Sequence, residues 1–417
     1  RISSWLIEKD PQLQVVFTQW VETGYWPGRR DDERLLMRVL FAISPLHRVM
    51  LRHTRSLLEQ YRKYNLLTEK LASRTVLPIP RDLVFRPDEQ DAYAELGRYC
   101  AELQVTIGQN ISGTLRSSLG FYLSLLQQRF ASSAVAIRDT MQRRLGRVIE
   151  TIEILDRYGL DSTDDLEDLR EELAPEEWET EENELEEVLK ATLRGRTRGD
   201  LEWERQRLEE LAPLYETLAA QRSTKTAVLL RVMAERVRPD DPNRYRQTVV
   251  FTRYSDTLNH LVETFRSAAP DMRVGTFSGE GGTFWDVDRR EWKHVKKNRD
   301  EIKHRFLKGD IDLLLCTDAA AEGLNLQSAD LLVNYDLPWN PMKVEQRIGR
   351  IDRIGQRFDR IEVLNLATMG SVEETIYGRL WDRLKNAAGV VGRQQFSILP
   401  IDEEDFAKLA SGQITHE

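Results

Sequence analysis

Arg347, Arg350 and Arg353 recur at three-residue steps in the stretch QRIGRIDRIGQ, a spacing that would bring them to one side of a helix. Guanidiniums gathered on one face repel one another unless an anion lies opposite. The planar, permanently charged fork of arginine fits phosphate oxygens, so a polyphosphate is one partner for the trio. The other is a set of ion pairs with Glu345, Asp352 and Asp359 along a solvated helix. Asn340 followed by Pro341 predicts where the helix starts, because Asn accepts from orphan N–H groups and Pro tolerates the first helical position. Gly355 is placed to close it.

Two apolar runs precede that helix, Ile311 to Cys316 and Leu331 to Tyr335, with the near-continuous hydrophobicity of parallel strands covered on both faces. Thr317 and Asp318 would sit at the carboxyl end of the first, and a Pro and Trp turn at Leu337 to Trp339 follows the second. The alternation continues on either side. Ser223 to Met233 reads as a helix after a Ser cap, Thr248 to Thr252 as a strand, and Ser255 as the cap of a helix with Leu258, Leu261, Val262 and Phe265 on one face. Arg273 to Phe277 is the next strand, ending at Ser278 and Gly279, and Gly281 to Asn298 reads as an inserted loop, basic at Lys293, Lys296 and Lys297. A helix from Arg299 to Lys308, a strand from Ile361 to Leu366 and a capping-box pattern at Ser371 and Glu374 complete the series. Such an order makes a parallel sheet with helices on both faces, and ligands bind such sheets beyond the carboxyl ends of the strands.

On these residues the sequence resembles the superfamily 2 helicases and translocases. VVFTRY at Val249 to Tyr254 resembles their motif IV, TDAAAEGLNLQ their motif V and QRIGRIDRIGQ their motif VI. The succession GLNLQ, DLPWNP, QRIGRIDRIGQ is nearest to the Swi/Snf-like ATPases, and to the bacterial branch that includes the RNA-polymerase-recycling ATPase and phage-defence helicases. The resemblance is specific from Ser223 to Leu384 and weaker from Leu46 to Leu96. It implies an α/β fold: a RecA-like parallel sheet with helices on both faces, the helicase C-terminal lobe, preceded by a largely helical region. Residues 1–105 would be the tail of a first RecA-like lobe, 106–222 a helical insertion with an acidic linker, 223–390 the second RecA-like lobe and 391–417 a C-terminal tail.

By motif position the resemblance implies that Arg350 and Arg353 are arginine fingers on ATP, with Gly323, Asn325, Gln346 and Arg347 as nucleotide-binding residues. Thr252, Ser278, Gly279, Thr317 and Trp339 would face nucleic acid. It further implies ATP and Mg²⁺ as cofactors, both held mainly by a first lobe, and double-stranded DNA as the track, with a bacterial protein complex as a further partner. Glu322 stands where eukaryotic remodellers commonly have Gly. The expected activity is ATP-dependent translocation, and the alternative is a regulatory module that keeps the fold and binds DNA or protein without turnover.

The remaining sequence sets limits. Neither GxxxxGK[ST] nor an acidic Mg²⁺-holding motif occurs in the 417 residues, which open at Arg1 as a fragment or processed form would, so the chain alone is expected not to hydrolyse ATP. Two cysteines and six scattered histidines give no disulfide framework and no zinc spacing. No signal peptide is recognisable and no apolar run approaches the roughly 18 residues of a membrane span, so a soluble cytoplasmic protein is expected. The net charge of −9 hides an asymmetry: Asp161 to Lys190 holds 15 acidic and 2 basic residues, which leaves the rest at +4. That stretch is either a solvated linker or a gate over a basic cleft. Ahead of it, the Arg-rich segment His47 to Tyr61 precedes a strand expected at Arg81 to Phe85, and Arg129, Arg138, Arg143, Arg144 and Arg147 give the helices of Ile111 to Leu155 a basic side. Leu208, Leu211, Leu214, Tyr215 and Leu218 form a helical stripe for core or helix-pair packing.

Overall fold

The computed structural model describes residues 11–24, 32, 64, 71–108, 113–163, 189–190, 192–279, 281–286, 289, 291–296, 299–318 and 324–380. The segment His47–Tyr61, nearly all of the acidic run, Gly323 and the tail from 381 onward lie outside them. In chain order the elements are α1 (Pro11–Thr23), β1 (Ser73–Leu77), α2 (Pro87–Gly108), α3 (Gly113–Ser132), α4 (Ala134–Tyr158), α5 (Arg198–Ala219), α6 (Thr224–Ala234), β2 (Val237–Arg238), β3 (Asp241–Tyr245) and β4 (Thr248–Thr252). They continue with α7 (Ser255–Ala268), β5 (Val274–Ser278), β6 (Gly281–Asp286), β7 (Glu291–Lys296), α8 (Arg299–Lys308), β8 (Leu313–Thr317), β9 (Leu331–Asn334), α9 (Pro341–Ile348) and β10 (Arg360–Asn365).

Eight strands form one sheet in the order β1-β10-β9-β4-β8-β5-β6-β7. The first six run parallel, and β6 and β7 are antiparallel additions. Successive side chains on a strand point to opposite faces, so a strand buried on both sides must be apolar throughout. In β4, Val249 and Phe251 join Leu314, Leu332, Ile361 and Val363 in a core covered by Ile302 and Phe306 of α8 and by Val344 and Ile348 of α9. Val250 faces the other way, into a core with Leu315, Val333 and Leu364 that is covered by Val228 and Met233 of α6 and Leu258, Leu261 and Phe265 of α7. This is an α/β RecA-like sheet covered by helices on both faces, as the sequence implied.

Three local expectations are corrected. The strand ahead of the helices is Ser73–Leu77 rather than Arg81–Phe85, where Val84 makes a single bridge to Met369. The β-branched residues of SRTVL favour extension, while Pro78 and Pro80 lack the N–H that a longer ladder needs. The expected loop from Gly281 to Asn298 contains a hairpin, β6–β7, that extends the sheet. Gly282 makes room there for Ile302 of α8, since a Cβ would overlap its side chain. Finally, the N-cap position of α7 is Tyr254, with no side-chain cap, and Ser255 is the first helical residue.

The helices α2 to α5 pack around a core of their own, in which Leu96, Tyr99 and Leu103 of α2 meet Tyr122, Leu126, Leu208, Leu211 and Tyr215. Two of the five arginines of the expected basic side, Arg129 and Arg144, are internal, while Arg138, Arg143 and Arg147 are partly exposed. Arg144 is 0% exposed, and Arg129 pairs with Asp256 at the start of α7. Glu204 accepts from Arg144 at 2.6 and 3.0 Å, from Arg196 at 2.8 Å and from Tyr99 at 2.8 Å. Arg144 also donates to the Leu189 carbonyl at 2.9 Å, so the triad fastens the point where the chain returns from the acidic run.

Candidate functional site

Helix α9 begins as its sequence dictates, with the Asn340 side chain accepting from the Met342 N–H at 2.9 Å and Pro341 in the first turn. It then ends earlier than the arginine spacing suggests. Ile348 is its last residue and Gly349 its C-cap, so Arg350 and Arg353 lie in the turns beyond it and the three arginines do not share a helical face.

Arg347 turns inward and is 2% exposed. It grips Asp318 through two bonds of 2.5 and 2.7 Å, donates to Asn334 Oδ1 at 3.1 Å and the Asp336 carbonyl at 2.7 Å, and lies over the Phe251 ring. A bidentate guanidinium in this setting fixes the carboxyl ends of β8, β9 and β4 relative to α9. Asn334 extends the chain of bonds to Asn365 of β10 at 2.8 Å.

The turn from 349 to 356 is stapled by its own side chains. Arg353 Nε donates to the Gly349 carbonyl at 2.7 Å, and Gln356 donates to the carbonyls of Ile351 at 2.7 Å and Ala329 at 3.1 Å. Gly355 adopts φ +87°, a left-handed conformation that suits glycine. The Arg350 carbonyl accepts from the Leu326 N–H at 2.9 Å, which brings Asn325 beside Arg350. Asn325 Oδ1 is buried and has no hydrogen-bond partner among the described residues. Arg350 and Arg353 themselves are half-buried, and Gln346 is exposed.

The residues expected to face nucleic acid form a row on the sheet. Thr252 and Thr317 are register partners on β4 and β8, and Ser278 ends the neighbouring β5. Thr252 is fully buried and donates to Asp336, while Thr317 is 2% exposed. Gly279 is exposed, and Trp339 packs against the sheet core with the Arg379 guanidinium 5.1 Å from its ring centre.

Sequence reasoning left Asp336 and Lys225 without a role. Asp336 follows β9 and accepts from Thr252 and from the Arg253 N–H, and its second oxygen lies 3.6 Å from Lys225 Nζ. Lys225 is 3% exposed and donates to Glu373 at 2.5 Å and to the Ala131 carbonyl at 3.1 Å, which joins the helical body to the lobe. The position of Asp336 directly past an apolar strand was the one available signal. Burial raises the Glu373 carboxyl from 4.5 to about 7 against the pull of Lys225, and the charge of Asp336 acts in the same direction as burial. A raised carboxyl binds its proton more tightly when folded, so its contribution to stability is greatest below pH 4.5 and is lost as pH rises through about 7. Denaturant titrations from pH 5 to 8 should show that decline in the parent and a flatter profile in Glu373→Gln.

Among the described residues no group of three or more His, Cys, Asp or Glu side chains could hold a metal ion. Among them, too, no helix is long and apolar enough to cross a membrane.

Residues 224–355 match the helicase conserved C-terminal domain. The chain is 40% identical over 111 residues to the uncharacterized ATP-dependent helicase YqhH of Bacillus subtilis, a match covering 27% of this chain and 20% of that protein. It is 42% identical over 79 residues to the RNA polymerase-associated protein RapA of Vibrio campbellii, covering 19% and 8% respectively. With the transcription regulatory protein SNF2 of Saccharomyces cerevisiae it shares 36% identity over 122 residues, covering 28% and 7%. The chain thus spans a fifth or less of the length of these relatives.

Proposed function

We propose that this chain, whose residues 224–355 match the helicase conserved C-terminal domain and resemble Swi/Snf-like ATPases, is the part of an ATP-dependent nucleic-acid translocase that supplies its arginine fingers, Arg350 and Arg353, and a face for the nucleic-acid backbone. The observation that carries this reading is the stapled turn, which holds Arg350 and Arg353, both half-buried, on a backbone bonded to the segment of Asn325, whose side-chain oxygen has no partner among the described residues. A guanidinium outside a regular helix, on a backbone fixed by its neighbours, can meet a phosphate that another lobe presents. Asn325 Oδ1 accepts from a ribose hydroxyl, and Gln346 and Gly323 complete the nucleotide contact. Arg347 acts through Asp318, keeping the turn in register with the strand ends where Ser278, Gly279 and Trp339 meet the backbone of duplex DNA, while the buried Thr252 and Thr317 lie beneath that face.

ATP and Mg²⁺ are held mainly by a lobe that carries the phosphate loop, and without it the 417 residues do not turn over ATP. The name of the RapA relative makes an RNA polymerase complex a candidate partner. The test is ATP turnover by the longest natural polypeptide that carries this chain, with no polymer, duplex DNA, single-stranded DNA and RNA in turn. Stimulation greatest with duplex DNA is expected. Absence of turnover with every polymer, in a folded protein that contains a phosphate loop, would make the lobe a binding module.

A further inference from the structure

The arginine turn is also held from outside the matched domain. Arg74 lies on β1, the edge strand, which pairs in parallel with β10 through five register positions, Arg74 opposite Ile361. Its guanidinium faces the turn and reaches both sides of it. Nη1 donates to Glu345 at 2.9 Å, while Nε and Nη2 both donate to one oxygen of Asp352, at 3.0 and 2.9 Å. Glu345 sits on α9 just before the arginine segment, and Asp352 lies between Arg350 and Arg353. All three side chains are at least four-fifths buried, at 14%, 16% and 15% exposure. Two of the three carboxylates that the sequence offered to the arginines of the turn are thus bonded by an arginine 271 and 278 residues away in sequence.

We propose that Arg74 is a positioning residue for Arg350 and Arg353, setting the angle at which the turn presents them. This rests on the finger reading given above. One fork bridges the helix before the turn and the aspartate inside it, so the two cannot shift relative to each other without breaking a charged bond. Without the guanidinium, two mostly buried carboxylates would lose the counter-charge they share. Burial already pushes Glu345 above the usual carboxylate range despite the presence of Arg74, and Asp352 adds to that push. The strand that carries Arg74 precedes the whole helical body, so the segment entering the lobe also governs its reactive turn.

The experiment compares Arg74→Ala, Arg74→Lys and Arg350→Ala in the longest natural polypeptide, reading kcat and KM for ATP at saturating polymer beside the melting temperature. Arg74→Ala is expected to lower kcat roughly 10²-fold, the loss typical of a misplacement of ~1 Å, with KM for ATP unchanged. Arg74→Lys, which keeps the charge and loses the fork, should recover only part of that loss. If Arg74→Ala does not fold, Asp352→Ala carries the same test, because it removes the acceptor of both paired bonds and leaves the Glu345 contact in place. Parental kcat in a folded Arg74→Ala or Asp352→Ala protein, or full recovery with lysine, would overturn the positioning role. Parental turnover in Arg350→Ala would instead sink the finger reading itself, so the two failures are distinguishable.

Discussion

Arg350→Ala is expected to reduce ATP turnover by roughly 10³- to 10⁵-fold, the usual contribution of an arginine finger, which corresponds to about 4 to 7 kcal/mol of barrier. Polymer affinity and thermal stability should change little. The expectation follows from how differently the three arginines are placed. Arg347 is buried in bonds to Asp318, Asn334 and Asp336, so its loss would disturb the sheet ends as well as any chemistry. For Arg350 the backbone carbonyl bonds to the Leu326 N–H and anchors the turn, and that bond survives any side-chain substitution. Truncating a half-buried side chain in such a turn has a small effect on stability unless a buried network is broken. Arg350→Lys should fall between parent and alanine variant, because a point charge neutralises a phosphoryl group without matching its geometry. Steady-state kcat at saturating ATP and polymer, read beside a melting curve, checks all three statements.

The largest effect on stability should come from the helical body. Glu204→Ala is expected to destabilise the chain by about 3 to 5 kcal/mol, because it leaves two guanidiniums buried without their counter-charge. Arg144 and Arg196 would face each other where Glu204 and the Tyr99 hydroxyl now sit, all among fully buried residues. Denaturant unfolding followed by helical signal measures the loss. The same carboxylate sets an acid limit. Burial alone would raise its pKa, but the two arginines outweigh burial and bring it from 4.5 to about 2. A depressed carboxyl contributes stability above its unfolded value, so the contribution is complete above pH 4.5 and is lost as pH falls toward 2. Glu204→Ala should therefore lack that acid-dependent limb.

Where sequence and structure agree, the information is local. The strand at Leu313–Thr317, the cap at Asn340 and Pro341, and the stripe of Leu208, Leu211 and Tyr215 each depend on neighbours within a turn or two of chain. The end of α9 was hidden because arginines three apart are compatible with a helix, whereas the chain leaves the helix at Gly349 and the turn beyond it is fastened by Gln356 onto Ala329, 27 residues away. Arg74 was hidden because nothing in SRTVL says that its arginine meets Glu345 and Asp352. Arg144 looked like one of several surface charges, and only the fold brings Glu204 and Arg196 to it. The hairpin at Gly281–Asp286 and Glu291–Lys296 read as a basic loop because its strands carry charge as well as Phe284 and Trp285. The row of Thr252, Thr317 and Ser278 follows from strand ends alone, whereas the bond that turns the Thr252 hydroxyl toward Asp336 depends on β4 lying beside β9.

The most direct test of translocation is displacement of a third strand from a DNA triplex by the longest natural polypeptide carrying this chain, with and without ATP, beside its Arg350→Ala variant. The proposed motor should release the third strand only with ATP, leave the underlying duplex paired, and fail to release it when Arg350 is replaced. ATP-independent release, release unaffected by Arg350→Ala, or no release by a protein that binds the duplex and hydrolyses ATP on it would contradict the account.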